Sequence, residues 1–123
     1  MSGPSLTSFI VKRPWLNRWF TPIAQWHNNL AGYRQLGLKY DDLLPEESEA
    51  VQTALKRLPA KEAYDRVFRI RRAFQCSISH TILPPNEHIK PEEDNAYLTP
   101  IIRAVEKEIK ERKELDSLTV KKK

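Results

Sequence analysis

Residues 61 to 83, KEAYDRVFRIRRAFQCSISHTIL, contain neither proline nor glycine, while Pro59 and Pro84–Pro85 bracket them. Within this stretch Val67, Ile70, Phe74, Ile78 and Ile82 recur at spacings of three and four, the signature of one face of an α-helix. Ala63, Tyr64 and Phe68 widen the stripe to about 160°. Glu62, Arg66, Arg69, Ser79 and His80 fall on the opposite side. The pattern predicts a central amphipathic helix over 61–83, its apolar stripe turned to the core and its end set by the two prolines, which cannot donate a backbone N–H. Glu62 and Asp65 near its start suit the positive end of the helix dipole. Arg71 puts a charge into the stripe. Either its stem packs while its head reaches water, or this face meets a partner that offers an acid or backbone carbonyls. Together Arg66, Arg69, Arg71 and Arg72 put four guanidiniums within seven residues and are candidate partner contacts.

Three further segments carry helical spacing. From Pro14 to Leu36 the residues Trp15, Leu16, Trp19, Phe20, Ile23 and Leu30 form a wide apolar surface with Trp26 beside it. Pro14 fits a first helical position. Thr21–Pro22 has the chemistry of an N-cap followed by a first-turn proline, which predicts a kink or two short helices. Residues 31–45 read as a connector punctuated by Gly32 and Gly37. A helix from about Pro45 to Leu58 follows, with Glu46, Glu47 and Glu49 in its opening turns, Val51, Ala54, Leu55 and Leu58 buried, and Lys56 and Arg57 at its C-terminal end. Residues 84–100 hold four prolines and read as an irregular segment wrapped over a surface. The last helix starts near Thr99–Pro100, packs Ile101, Ile102, Val105 and Ile109, and ends in charge pairs such as Glu106–Lys110, Glu108–Arg112, Lys107–Glu111 and Lys110–Glu114. Strand-like alternation is nearly absent, and no apolar run approaches the ~18 residues that cross a bilayer. The expectation is an all-α fold: one small domain of four to five helices with an irregular Pro-rich segment and no transmembrane helix. Residues 1–13 would form a basic N-terminal arm, 14–118 the helical body and 119–123 a basic tail.

Charge changes the picture at the N-terminus. Lys12, Arg13, Arg18, Arg34 and Lys39 precede the first acid, Asp41, and equal the net charge of +5. Residues 1–13 are basic, Ser/Thr-containing and acid-free, as in a mitochondrial transit peptide or a flexible arm. Three tryptophans beside basic residues suit a membrane interface or a protein partner, or else they pack the core; Trp15, Trp19 and Phe20 are candidate contacts. A basic chain with aromatics also raises the alternative of a small nucleic-acid-binding protein, although no nucleic-acid module is recognisable.

Catalytic chemistry is thinly represented. The single Cys76 rules out an internal disulfide and fits a reducing compartment. Cys76 and His80, one helical turn apart, are too few for a structural zinc and poorly placed as a nucleophile pair. No phosphate-binding loop, dinucleotide motif or nucleophile elbow is present. We expect no catalytic residue, no metal and no cofactor. Five carboxylates in nine residues, Asp41, Asp42, Glu46, Glu47 and Glu49, form the one remaining cluster. They read as capping and solvated charges, or as groups that move protons or meet a basic partner. Glu46 and Glu47 are the candidate proton-relay residues; Asp41 and Asp42 suit capping or pairing with a partner's basic groups.

LAGYRQLGLKYDDLL (30–44), ALKRLP (54–59), RVFRIRRA (66–73), HTILPPNE (80–87) and EEDNAYLTPII (92–102) together resemble the subunit 7 family of mitochondrial ubiquinol–cytochrome c reductase, complex III. The resemblance covers roughly residues 14–116 in order and spacing. His88 stands where this family usually has Trp, and Pro85 where a basic residue is common. The resemblance implies an accessory subunit, without a redox centre, on the matrix side of the inner membrane. Its expected partners are cytochrome b, the core proteins and other small subunits, with peripheral membrane contact and no nucleic acid. It also implies a role in assembling cytochrome b, and would set Glu46 and Glu47 near the matrix-side quinone site, where protons are taken up.

Overall fold

The computed structural model describes residues 6–118; the expected basic tail at 119–123 and the first five residues of the arm lie outside them. Among the described residues there are five α-helices and no strand: α1 (Thr7–Val11), α2 (Pro14–Leu30), α3 (Glu49–Lys56), α4 (Ala60–Ile78) and α5 (Thr99–Asp116). Short 3₁₀ turns occupy Tyr33–Leu36, Tyr40–Leu43 and Pro85–Glu87. The chain divides into two compact units, one ending at Gly32 and one beginning at Tyr33.

In the first unit Pro14 opens α2 as its spacing predicts. Thr21–Pro22 does not start a new helix: α2 runs through Pro22 without interruption. The Thr21 hydroxyl donates back to the Asn17 carbonyl at 2.6 Å, so it bonds within the helix instead of capping a new one. α2 buries none of its residues.

The hydrophobic core of the second unit lies between α3 and α5. Ala50, Val51, Ala54 and Leu58 meet Leu98, Ile102 and Val105, with Leu55, Ile101 and Ile109 packed at the edge. Both predicted stripes are thus confirmed, and α5 begins at Thr99 with Pro100 in its first turn. Arg57 grips Glu108 with two 2.7 Å hydrogen bonds across the pair of helices, and Arg112 adds a weaker electrostatic attraction to the same carboxylate. Lys107–Glu111 and Lys110–Glu114 form as the sequence suggests.

Two expectations fail here. The helix expected from Pro45 begins at Glu49, with Ser48 in the N-cap position, so Glu46 and Glu47 sit in a turn outside its dipole. And α4 is turned over. Its buried residues are Arg66, Arg69, Ala73 and Cys76, whereas Tyr64, Val67, Phe68, Phe74 and Ile78 of the apolar stripe are exposed. The α3–α5 pair already encloses a core, and what α4 covers instead is the buried Asp41–Asp42 turn, where the Asp42 carboxylate and the Asp41 carbonyl take guanidiniums.

α4 also stops earlier than the prolines require. His80 adopts φ 53°, in the left-handed region. The Thr81 N–H then reaches the Cys76 carbonyl at 3.0 Å and the His80 N–H the Ser77 carbonyl at 3.3 Å, the pair of bonds that seals a helix C-terminus. Ile82 therefore lies beyond the helix, also exposed.

Candidate functional site: an interior ion-pair network beneath an outward apolar face

Asp41 and Asp42 lie in the 3₁₀ turn between the units' boundary and α3, and both are buried. They divide the work. Asp41 Oδ2 accepts the backbone N–H groups of Leu98 and Thr99 at 2.8 and 2.9 Å, and its Oδ1 accepts the Thr99 hydroxyl at 2.6 Å. It therefore caps α5 from a position far away in sequence, satisfying N–H groups that a helix start leaves unpaired. Asp42 takes the charges. Arg69 donates to both its oxygens at 2.7 and 3.0 Å, Tyr97 donates its hydroxyl to Oδ1, and the Lys39 N–H reaches Oδ2 at 2.9 Å.

Arg66 connects this centre to the surface. Its Nη1 donates to the Asp41 carbonyl at 3.0 Å and to the Tyr97 oxygen at 2.9 Å, and lies 3.5 Å from Asp42. Its Nη2 donates to Glu46 at 2.8 Å. Tyr97 lies beneath two cations, Lys39 and Arg69, at 5.5 and 5.3 Å from its ring centre. Burial raises the pKa of the Asp42 carboxyl, but the hydrogen bonds from Arg69, Tyr97 and the Lys39 amide outweigh it and leave that pKa below the usual value. Burial, then the bond to Asp42, pushes the Tyr97 phenol up to about 12.

A separate carboxylate, Asp94, ties the Pro-rich segment to the Tyr33–Tyr40 region. Asp94 accepts the Tyr33 hydroxyl at 2.7 Å, Arg34 Nε at 3.0 Å and the Tyr40 N–H at 2.8 Å. Burial opposes its charge, yet these bonds hold its carboxyl below the ordinary range. His88 bonds the Leu83 carbonyl through Nε2 at 2.7 Å.

The sequence-predicted residues thus separate. Arg66 and Arg69 face inward and their guanidiniums are used inside the chain. Arg71 is exposed in the middle of the outward stripe, and Arg72 is half-buried, stacked on Phe68 at 5.3 Å. Glu46 forms the solvent end of the network, and Glu47 is exposed in the same turn. A groove of about 540 Å³ opens beside Glu46 and Arg66, walled by Leu36, Leu38, Ile70 and Phe74. Trp15, Trp19 and Phe20 are exposed on α2. Sequence reasoning does not find Tyr97, Asp94 or Tyr33, because each meets its partners only through long-range folding.

Among the described residues no three His, Cys, Asp or Glu side chains converge as metal ligands, and no helix is long and apolar enough to cross a membrane. The class is a small all-α protein with a charged interior seam and a large apolar surface on its central helix. Residues 14–113 match the sequence model of the 14 kD subunit of the ubiquinol–cytochrome c reductase complex. The chain belongs to this family. It is 52% identical over 120 residues to cytochrome b-c1 complex subunit 7 of Neurospora crassa, covering 98% of each chain. It is 49% identical to the mitochondrial cytochrome b-c1 complex subunit 7 of Saccharomyces cerevisiae, over 93% of this chain and 90% of that one. It is 44% identical to subunit 7 of Pongo abelii, over 79% and 86% respectively.

Proposed function

We propose that this chain is a non-catalytic accessory subunit of mitochondrial complex III that supports the assembly and stability of cytochrome b. It sits peripherally on the matrix side of the inner membrane, against cytochrome b, the core proteins and other small subunits. One observation carries this reading beyond family membership. Helix α4 leaves Tyr64, Val67, Phe68, Phe74 and Ile78 between 45 and 77% exposed on one face, an apolar patch of the kind that marks a protein interface. Arg71 lies among them and supplies a directional contact for a partner carboxylate or carbonyl. Trp15, Trp19 and Phe20 of α2 are further contacts, against a partner or the membrane surface, with Arg72 at the edge of the α4 patch. Arg66 and Arg69 serve the interior and are not among them.

The test replaces Phe68 and Phe74 by Ser, and separately Arg71 by Glu, in tagged full-length chain. Native electrophoresis in mild detergent then asks whether each variant migrates with a haem b-containing assembly. Both are expected to lose that association while keeping the cooperative unfolding of the isolated chain. Normal association of both variants would sink the reading.

A share in proton uptake at the matrix-side quinone site is the finer part of this proposal. Glu46, with 57% of its side chain exposed and Arg66 behind it, is the better placed carboxylate; Glu47 is solvent-facing beside it. Both lie ahead of α3 and outside its dipole, so proximity to a partner's proton path must supply the role. Glu46→Gln and Glu47→Gln are expected to assemble normally and slow quinone reduction. Parental turnover across the pH range in both would leave the two carboxylates as surface charges.

A further inference from the structure

Helix α2 carries an unusually ordered division of side chains. At 100° per residue, Trp15, Trp26, Trp19, Leu30, Ile23, Leu16 and Phe20 occupy one arc of about 140°, interrupted by His27 between Leu16 and Phe20. None of them is buried: Trp15, Trp19 and Trp26 are 61, 73 and 63% exposed. The three indoles gather on a single flank of the arc, the flank that adjoins Arg18 and Asn29. The remaining face, Asn17, Thr21, Gln25 and Asn28, is polar and uncharged. No acid occurs anywhere in residues 6–32, where Lys12, Arg13 and Arg18 are all exposed cations.

We infer that α2 lies flat on an anionic lipid bilayer, its apolar arc in the acyl boundary, its tryptophans at headgroup depth, and Arg18 with Lys12 and Arg13 against lipid phosphates. Seventeen residues span about 25 Å, and the helix is too polar on its other face to cross a membrane. A helix with a wide apolar arc, a polar back and no acid matches the interfacial mode. Indole rings at the apolar–polar boundary match it too, because they place an apolar body in the chains and an N–H among headgroups. A groove of about 600 Å³ lined by Pro14, Trp15, Arg18, Trp19 and Pro22 sets the guanidinium beside two indoles, as a lipid phosphate above its chains requires. The α4 surface differs: its apolar residues surround one arginine and suit a protein. The inference deepens the functional reading, which supplies only the nearness of a membrane; the lipid chemistry stands on α2 itself.

Full-length chain is mixed with phosphatidylcholine vesicles and with the same vesicles doped with phosphatidylglycerol, and partitioning is read by flotation and by tryptophan emission. Each cation near the surface contributes about fivefold, so three give roughly a hundredfold preference for the anionic vesicles. A blue-shifted emission should accompany binding, and molar salt should remove most of the preference. Arg18→Gln should cost about fivefold. Trp15→Ser with Trp19→Ser should abolish flotation while the unfolding transition of the chain is retained. Equal partitioning onto neutral vesicles, salt-insensitive binding, or no binding to either vesicle overturns the inference. If vesicles are not bound but the double Trp variant fails to enter the complex, α2 is a protein interface; the lipid inference falls and the subunit reading survives.

Discussion

Replacing Arg69 by Met tests whether the charged seam holds α4 to the rest of its unit. The substitution keeps the aliphatic stem and removes two charge-assisted hydrogen bonds of 2.7 and 3.0 Å from Asp42. The Asp42 side chain is 0% exposed, so water cannot replace them. Breaking a buried pair from one side costs about 3–5 kcal/mol, because the remaining charge stays buried and underpaired. Asp42 keeps Tyr97, the Lys39 amide and Arg66 at 3.5 Å, which places the expected loss at the low end, about 3 kcal/mol. With a urea slope of about 1–1.5 kcal/mol/M, the unfolding midpoint of the full-length chain should fall by about 2–3 M. Asp42→Asn combined with Arg69→Met should recover much of this, since the charge left behind is then gone. Acid provides a second arm. The Asp42 pKa is depressed in the folded parent, so the stability it contributes is present above the unfolded carboxylate value of 3.8 and is lost as pH falls through the lower folded value. In Arg69→Met burial acts with less opposition and the folded pKa moves up. The difference between parent and variant should therefore shrink below about pH 4. A loss under about 1 kcal/mol, unchanged between neutral and acid pH, would refute the reasoning.

Gly37 and Gly32 both sit at φ 72°, but a Cβ at Gly37 would lie 2.2 Å from Arg72 Nη2, whereas at Gly32 the nearest atom is a carbonyl oxygen at 3.9 Å. Gly32→Ala should cost about 1–2 kcal/mol and Gly37→Ala clearly more in chemical denaturation, and equal losses would contradict the crowding. His80→Gly should stabilise by about 1 kcal/mol, because glycine adopts the left-handed C-terminal position of α4 without strain; a lower melting temperature would speak against that helix end. Tyr97 should stay protonated until about pH 12, and because its folded pKa is raised, the stability it supports is complete below its ordinary pKa of 10.0 and is lost as pH rises toward 12. Ultraviolet titration should show a late tyrosinate step that Tyr97→Phe removes; a step unaffected by that substitution would assign it elsewhere.

The α5 boundary and stripe were legible because Thr99–Pro100 is a local start signal and Ile102 and Val105 meet a helix patterned the same way. Likewise Pro14 marks the start of α2 by its own chemistry. The orientation of α4 was not legible by the stripe rule, which assumes that the larger hydrophobic side chains face inward. A second stripe was present, Arg66, Arg69, Ala73 and Cys76, at equally helical spacing, but its meaning depends on Asp41–Asp42 arriving from more than twenty residues away. Tyr97 and Asp94 were hidden for the same reason: each acts across a separation of more than fifty residues. Glu46 and Glu47 were misplaced because Pro45 imitates a first helical residue, while the helix itself starts after Ser48.

The inverted helix has an energetic consequence for assembly. Had the stripe faced inward, Arg66 and Arg69 would have faced water and Asp42 would have lacked its countercharge. As built, Tyr64, Val67, Phe68, Phe74, Ile78 and Ile82 remain 45–77% exposed. At about 1.5–3 kcal/mol for complete burial of such a side chain, a partner covering them gains roughly 6–10 kcal/mol in gross terms. Association itself costs about 4–15 kcal/mol before any surplus appears as affinity. The α4 face alone therefore holds a partner weakly, and a second attachment is needed. On the inference drawn for α2, its exposed arc supplies one, carried in a separate unit. With two attachments the second forms at high effective concentration once the first is made. If both proposed surfaces engage, the subunit is retained only where both targets occur together, and removing either surface should remove more binding than that surface measures alone.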